Sequence, residues 1–161
     1  MDVLLPEYKN LLLLLIKHEV QFMLIGGYAV IYYGYERTTS DMDIWLSPEN
    51  KNRDKVMMAL AEYGIEQEDL EQLKSKDFTK INFFYIGDRP SRIDFLNKVK
   101  GVEFEEAIKQ ANHFPLKDQS IPIIQYHHLI LTKIMNSRPK DKADVEELQR
   151  INALRKKKFE D

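Results

Sequence analysis

Two aspartates, Asp41 and Asp43, lie two residues apart in the apolar stretch TTSDMDIWL (38–46). The apolar residues predict a β-strand, in which successive side chains point to opposite faces, so both carboxylates would share one face. Two carboxylates this close repel each other and raise each other's pKa unless a positive charge lies near them. A divalent cation would provide that charge. The alternative is a solvated strand end at which the pair has no function.

A third carboxylate, Asp94, lies in the sequence RIDF (92–95), which predicts another strand with its apolar neighbours on the opposite face. Carboxylate oxygens are the ligands that Mg²⁺ and Mn²⁺ prefer. Three carboxylates on strand faces would make an all-oxygen site suited to either ion. An isolated Asp-x-Asp pair is weak evidence for such a site, whereas an ordered set of motifs is stronger.

A glycine pair, Gly26-Gly27, ends the apolar run VQFMLIGG (20–27), which predicts a buried strand entering a tight turn. Glycines between a strand and a helix let the backbone approach a ligand closely, and the free N–H groups of the following turn bind phosphate. The alternative is a simple turn without a ligand.

The elements that must position these residues follow from hydrophobic periodicity and turn residues. Strands are predicted over 20–27, 41–46, 79–87 and 91–97, with a further hairpin of HFPL and IPIIQ around the turn KDQS; helices are predicted over 6–19, 28–36, from Ser47-Pro48 to Gly64, and over 103–111, 126–138 and 141–158. The stretch 65–77 predicts no element. This alternation predicts an α/β (α+β) fold, a mixed β-sheet flanked by helices, and the length of 161 residues predicts a single domain, 1–161.

Composition narrows the classes of function. The chain has no cysteine, which excludes disulfides, zinc–thiolate sites and thiol nucleophiles. A formal charge of −2 provides no global attraction to nucleic acid or to an anionic membrane, so such a partner would need a local basic patch. The run LLLLLI (11–16) is too short to span a bilayer, and MDVLLPEYKN lacks the basic start of a signal peptide. We expect a cytoplasmic protein without a membrane partner.

The order of these motifs resembles the nucleotidyltransferase superfamily of the DNA polymerase β type. Its signature is an apolar strand, a glycine pair, a helix, an Asp-x-Asp strand and a later strand with a third acid, which here are LIGG, YAVIYYGYERTTS, DMDI and RIDF within a catalytic core over 20–97. The resemblance implies a nucleotidyltransferase fold and an enzyme that transfers a nucleoside monophosphate from a nucleoside triphosphate, such as ATP, to a hydroxyl. It implies Mg²⁺ or Mn²⁺ held by Asp41, Asp43 and Asp94, a base role for Asp94, and phosphates bound by Gly26 and Gly27.

The C-terminal helical segment, 126–158, carries a narrower resemblance. Its sequence LILTKIMNSRPKDKADVEEL resembles the pattern Lys…Arg-x-x-Asp-x-x-Asp of AbiEii-type toxin nucleotidyltransferases. The resemblance implies that Lys133 contacts the triphosphate, while Arg138, Asp141 and Asp144 frame the site. The alternative is a solvated helix pair with ordinary ion pairs.

Arg37, four residues before Asp41, matches an arginine often found ahead of this acidic strand and would neutralise phosphate; the alternative is an ordinary surface arginine. Three functions stay open at this point. The first is transfer to tRNA or protein in a toxin–antitoxin setting, the second is a non-catalytic antitoxin-like interaction, and the third is an aminoglycoside-type transfer to a small molecule. A basic groove would favour RNA, whereas an open acidic cleft would favour a cationic small molecule.

Overall fold

The computed structural model describes residue 1 and residues 3–160, excluding the side chain of residue 160. The helices of this part of the chain are α1 (Pro6–Lys17), α2 (Gly26–Tyr32), α3 (Asn50–Tyr63), α4 (Gln67–Lys74), α5 (Phe104–Lys109), α6 (Tyr126–Asn136) and α7 (Pro139–Glu160). The strands are β1 (Phe22–Ile25), β2 (Met42–Leu46), β3 (Phe83–Ile86), β4 (Ile93–Leu96), β5 (Asn112–Leu116) and β6 (Gln119–Ile123). The described strands form one sheet in the order β3-β4-β2-β1-β6-β5, which confirms the predicted mixed sheet flanked by helices.

The acidic strand β2 lies inside the sheet. It pairs with β1 in the antiparallel sense and with β4 in the parallel sense. Both predicted hairpins form, because β3 pairs antiparallel with β4 and β5 pairs antiparallel with β6. The second hairpin joins the sheet through a parallel contact between β6 and β1.

The core lies against the apolar face of β2 and β4. Met42, Ile44, Ile93 and Phe95 are all fully buried, as the alternation of apolar and acidic residues predicts. The leucine run belongs to α1, whose buried residues include Leu11, Leu12, Leu14 and Leu15. Among the described residues, no helix combines the length and the apolar composition that a membrane crossing requires.

The starts of α2, α3 and α7 differ from the prediction by two or three residues, and α7 begins at Pro139 rather than at residue 141. Helix α2 begins at Gly26 rather than at residue 28, because the φ of +70° at Gly26 turns the chain directly from β1 into the helix. Helix α3 begins at Asn50 rather than at Ser47-Pro48. The Ser47 N–H donates to the Gln21 carbonyl and extends the pairing of β2 with the β1 segment, so Ser47 does not cap the helix.

Two other segments also differ from their predictions. The strand predicted over 79–87 spans only Phe83–Ile86. The stretch 65–77, which predicted no element, contains α4, whose buried residues Leu70 and Leu73 lie three positions apart on one helix face. A helix of eight residues has too short an apolar pattern to stand out in the sequence.

Candidate functional site

The acid-bearing ends of β2 and β4 lie side by side. Asp43 is the Cα partner of Asp94 in the parallel pairing, and it is also the partner of Ile25, the residue before Gly26. Paired residues project from the same face of a sheet, and Asp41 precedes Asp43 by two positions. The three carboxylates therefore lie on one face beside Gly26.

Two arginines lie against these acids. The Nε atom of Arg92 is 2.7 Å from Oδ1 of Asp94, and its guanidinium carbon is 3.9 Å from the centre of the Tyr85 ring. The Nη2 atom of Arg89 is 3.6 Å from Oδ2 of Asp41. Within residue 1 and residues 3–160, no group of three or more His, Cys, Asp or Glu side chains is arranged to hold a metal ion. Oδ1 of Asp94 is already engaged by Arg92.

Two properties of the acids suit a divalent cation. Burial, followed by the charges of Asp94 and Asp41, raises the pKa of Asp43 to about 7. The Oδ1 atom of Asp41 is buried without a hydrogen-bond partner among the described residues. A bound cation would satisfy this oxygen and would also relieve the repulsion at Asp43. The residue types and these two properties of Asp41 and Asp43 suit Mg²⁺ or Mn²⁺, and metal binding stays a prediction.

Tyr8 of α1 forms hydrogen bonds to both chain segments that lead into the acidic strands β2 and β4. Its hydroxyl, on a fully buried side chain, lies 3.1 Å from the carbonyl oxygen of Ser40 and 2.9 Å from that of Arg92. Burial, followed by the neighbouring Tyr28 and the charges of the three acids, raises the pKa of Tyr8 above its ordinary value. Tyr8 therefore stays a neutral donor at physiological pH.

The two glycines stand where polar side chains approach the backbone. A β-carbon on Gly26 would overlap the carboxylate of Asp43, and one on Gly27 would overlap the hydroxyl of Thr39. The Nη2 atom of Arg37 would lie 3.5 Å from that second β-carbon. Both positions therefore require glycine for close packing around the acids, and phosphate binding by these glycines stays a prediction.

A buried charge network connects α6 and α7 with Arg37. The Nζ atom of Lys133 is 2.9 Å from Oδ2 of Asp144 and 3.2 Å from Oδ1 of Asp141. Arg37 contacts the same Asp144 carboxylate, with Nη2 3.1 Å from Oδ2 and Nε 3.0 Å from Oδ1. Lys133, Asp141 and Asp144 are 7%, 0% and 1% exposed. The alternative of solvated ion pairs is therefore wrong for these three residues, and a triphosphate would compete with two carboxylates for Lys133.

Arg138 completes this network from the loop between α6 and α7. Its Nε and Nη2 atoms lie 2.7 Å and 3.2 Å from the carboxylate oxygens of Asp141. Burial acts to raise the pKa of Asp141, but hydrogen bonds from Arg138 and Lys133 outweigh it and leave the pKa below its ordinary value. The network thus sets three cationic side chains against two carboxylates.

A cavity of about 360 Å³ opens beside Asp43 and Gly26. Its basic wall contains Lys98, Lys100, Lys133 and Arg138, and its apolar wall contains Phe83, Leu96, Val99 and Leu129. This volume is in the range of small-molecule sites. Another cavity of about 360 Å³, lined by Leu60, Leu73 and Phe84, lies between β3 and the α3–α4 helices, away from the acids.

Several residues at this site had no predicted role. Tyr8 and Thr39 contact segments that are distant from them in the chain, and the sequence alone does not show such contacts. Arg92 did carry a signal, because strand alternation places it on the face of Asp94. Lys98 and Lys100 follow β4 without a recognisable motif.

Comparison with known proteins identifies the family of the chain. The family model described as "Nucleotidyl transferase of unknown function (DUF2204)" matches residues 5–160. A comparison with curated proteins finds no match. The matched range contains the three acids, both glycines and the whole charge network. The chain therefore belongs to the DUF2204 family of nucleotidyl transferases of unknown function.

Proposed function

We propose that the protein transfers a nucleoside monophosphate from a nucleoside triphosphate to a hydroxyl group of an acceptor. Asp41, Asp43 and Asp94 would hold Mg²⁺ or Mn²⁺. The observation that carries this proposal is the direct pairing of Asp43 with Asp94. The neighbouring Gly26 lies so close to Asp43 that a β-carbon at this position would overlap the carboxylate. The family description supports nucleotidyl transfer in general.

The residues of the chain divide the chemistry among them. The acceptor oxygen forms a bond to the α-phosphorus as the bond to the bridging oxygen breaks, and pyrophosphate leaves with the electron pair. A bound divalent ion would stabilise charge on the attacking and leaving oxygens. Asp94 would accept the proton of the acceptor hydroxyl. Lys133 and Arg138, in the basic wall of the cavity, would neutralise the charge of the triphosphate.

The finer family placement is also part of this proposal. The order of glycines and acids supports a site of the polymerase β type. The linked residues Lys133, Arg138, Asp141 and Asp144 support an AbiEii-like site, in which Lys133 organises Asp144 and Arg37 in addition to any phosphate contact. A toxin–antitoxin role would follow from that likeness and needs its own test.

Mass spectrometry tests the activity directly. The protein is incubated with Mg²⁺, each common nucleoside triphosphate, and separate pools of tRNA, protein and small molecules. We expect an acceptor that gains the mass of one nucleoside monophosphate, with release of pyrophosphate, and no product from Asp43→Asn. If neither product nor pyrophosphate forms in any pool, the transferase proposal is wrong.

A non-catalytic interaction protein is the second candidate, and one observation favours it. Arg92 pairs with Asp94 and Arg89 lies near Asp41, so the acids are already partly neutralised by the chain itself. Such a protein would bind no nucleoside triphosphate in a calorimetric titration with Mg²⁺.

The third alternative, transfer to a small molecule of the aminoglycoside type, is not favoured. The four cationic side chains of the cavity wall would repel such a cationic acceptor.

A further inference from the structure

The face of the sheet that carries the acids continues onto the edge strand β3. Tyr85 is the pairing partner of Asp94, and Phe83 is the partner of Leu96. Both aromatic side chains are 54% exposed. We call Phe83 and Tyr85 the β3 ledge. It places the exposed Tyr85 ring beside Asp94 and the exposed Phe83 ring two positions farther along the same face.

The β3 ledge has no evident role in the core. The opposite face of the strand carries Phe84, whose ring stacks on the buried Phe95 at a centroid distance of 4.8 Å, and this contact anchors β3. Exposed rings on an edge strand favour aggregation, so proteins usually cover or avoid them. Contiguous exposed apolar surface next to a polar site is typical of a binding surface.

Basic side chains surround the β3 ledge. The Arg92 guanidinium lies over the Tyr85 ring, and Arg89 in the β3–β4 turn is 71% exposed. Lys98 and Lys100 line the cavity together with Phe83, although Lys98 also contacts Glu103 at 2.9 Å. The chain as a whole has a net charge of −2, so an anionic partner would depend on local cations such as the exposed Arg89 and Lys100.

The strand order indicates from which side of the candidate site an acceptor bound at the β3 ledge would approach. Gly26, Asp43, Asp94 and Tyr85 belong to or border the successive strands β1, β2, β4 and β3. Adjacent strands are about 4.8 Å apart, so this row spans roughly 14 Å. In phosphoryl transfer, the attacking and leaving oxygens lie on opposite sides of the phosphorus. With the triphosphate on the Gly26 side, the acceptor hydroxyl approaches from the Tyr85 side.

We propose that the acceptor is the unpaired end of a nucleic-acid strand, which stacks its bases on Phe83 and Tyr85 and presents its terminal hydroxyl to Asp94. This inference rests on the proposed transferase function. Aromatic rings bind unpaired bases of any sequence, and nearby cationic side chains bind the backbone phosphates. The exposed side chains of Arg89 and Lys100 lie within reach of solvent near the two rings. Rings with exposed cations beside them match a nucleic-acid strand better than an apolar protein surface.

The first test measures strand binding without nucleotide or metal. Fluorescence polarisation compares labelled single strands of about 12 nucleotides, RNA and DNA, with a blunt-ended hairpin of the same length. We expect the single strands to bind more tightly, and Tyr85→Thr or Phe83→Thr to weaken that binding by about 5- to 150-fold, as expected for one lost stacking contact. Threonine keeps the preference for a strand conformation while it removes the ring.

Matched variants test whether the aromatic rings and the nearby positive charge are responsible for strand binding. Tyr85→Phe keeps the ring and should therefore keep the affinity for single strands. Phe159→Ala removes an aromatic side chain of α7 that is 92% exposed, and this change should leave the affinity as it is. Lys98→Ala should reduce the slope of log affinity against log salt by about 0.7. Lys51→Ala controls for it, because both lysines are exposed and each contacts an exposed glutamate.

The outcomes separate this inference from the proposed function. Equal binding by wild type and Tyr85→Thr, or no preference for single strands, would overturn the inference, while transfer to a small molecule would leave the proposed function intact. Ring-dependent strand binding without pyrophosphate release from any nucleoside triphosphate would defeat the transferase and leave a strand-binding surface. Self-association that Tyr85→Thr abolishes, with no strand binding, would assign the β3 ledge to a second copy of the chain and overturn the inference.

Discussion

The backbone of Gly26 lies against the carboxylate of Asp43, so closely that a methyl group on the glycine would overlap the Oδ2 atom. Gly26 also has a φ of +70°, a conformation that disfavours any other residue. The two constraints together explain why a glycine begins α2 at this point.

Gly26→Ala should lower the free energy of unfolding by about 2–4 kcal/mol, because it adds both backbone strain and overlap. Gly64→Ala is the matched control, since Gly64 has a φ of +111° and nothing within 4 Å of an added β-carbon. It should cost about 1–2 kcal/mol. Chemical denaturation measures both values, and equal costs would mean that Asp43 moves aside freely.

Asp43→Asn should stabilise the protein in metal-free buffer, and this effect should depend on pH. Burial and the neighbouring acids raise the pKa of Asp43 from 3.8 to about 7, so the folded state holds its proton more tightly than the unfolded state. The stability contributed by Asp43 is therefore highest below about pH 4 and falls as pH rises through 7.

The increase in the free energy of unfolding caused by Asp43→Asn should thus grow between about pH 4 and pH 7 and reach roughly 1–3 kcal/mol near pH 8. Denaturation curves at several pH values in the presence of a chelator measure it. Asp118→Asn, at an exposed turn position, controls for the loss of a carboxylate. A gain that is the same at every pH would contradict the raised pKa of Asp43.

Mg²⁺ with a non-hydrolysable nucleoside triphosphate should raise the melting temperature, since a ligand that binds only the folded state stabilises it. Chelation of the metal should reverse the shift, and Asp43→Asn should abolish it because a full ligand charge is lost. Asp118→Asn should keep it. Thermal melting curves measure these shifts. Identical shifts in wild type and Asp43→Asn would show that the acids are not the metal site.

Lys133→Ala should destabilise the protein by about 3–5 kcal/mol, because it leaves the buried carboxylates of Asp141 and Asp144 short of a partner. Lys142→Ala, at an exposed position of α7, should change stability by no more than about 0.5 kcal/mol. Chemical denaturation compares the two variants. Similar small effects would mean that water replaces Lys133 without cost.

The sequence alone determined the parts of this protein that depend on neighbours in the chain. Alternation along DMDI separates the acidic side chains from the buried Met42 and Ile44, and the leucines of α1 form an apolar helix face. Both hairpins follow from short turns between apolar runs. These patterns suffice for the fold class and for placing the three acids on the face opposite the core.

Only the tertiary structure decided which side chains meet. The pairing of Asp43 with Asp94 depends on a parallel contact between strands separated by α3, α4 and β3, and the contact of Arg37 with Asp144 spans 107 positions. The exposure of Tyr85 follows from the edge position of β3, which no local pattern specifies. Local periodicity reports the face on which a residue lies, whereas the partner across that face depends on how distant elements pack to bury their apolar surfaces.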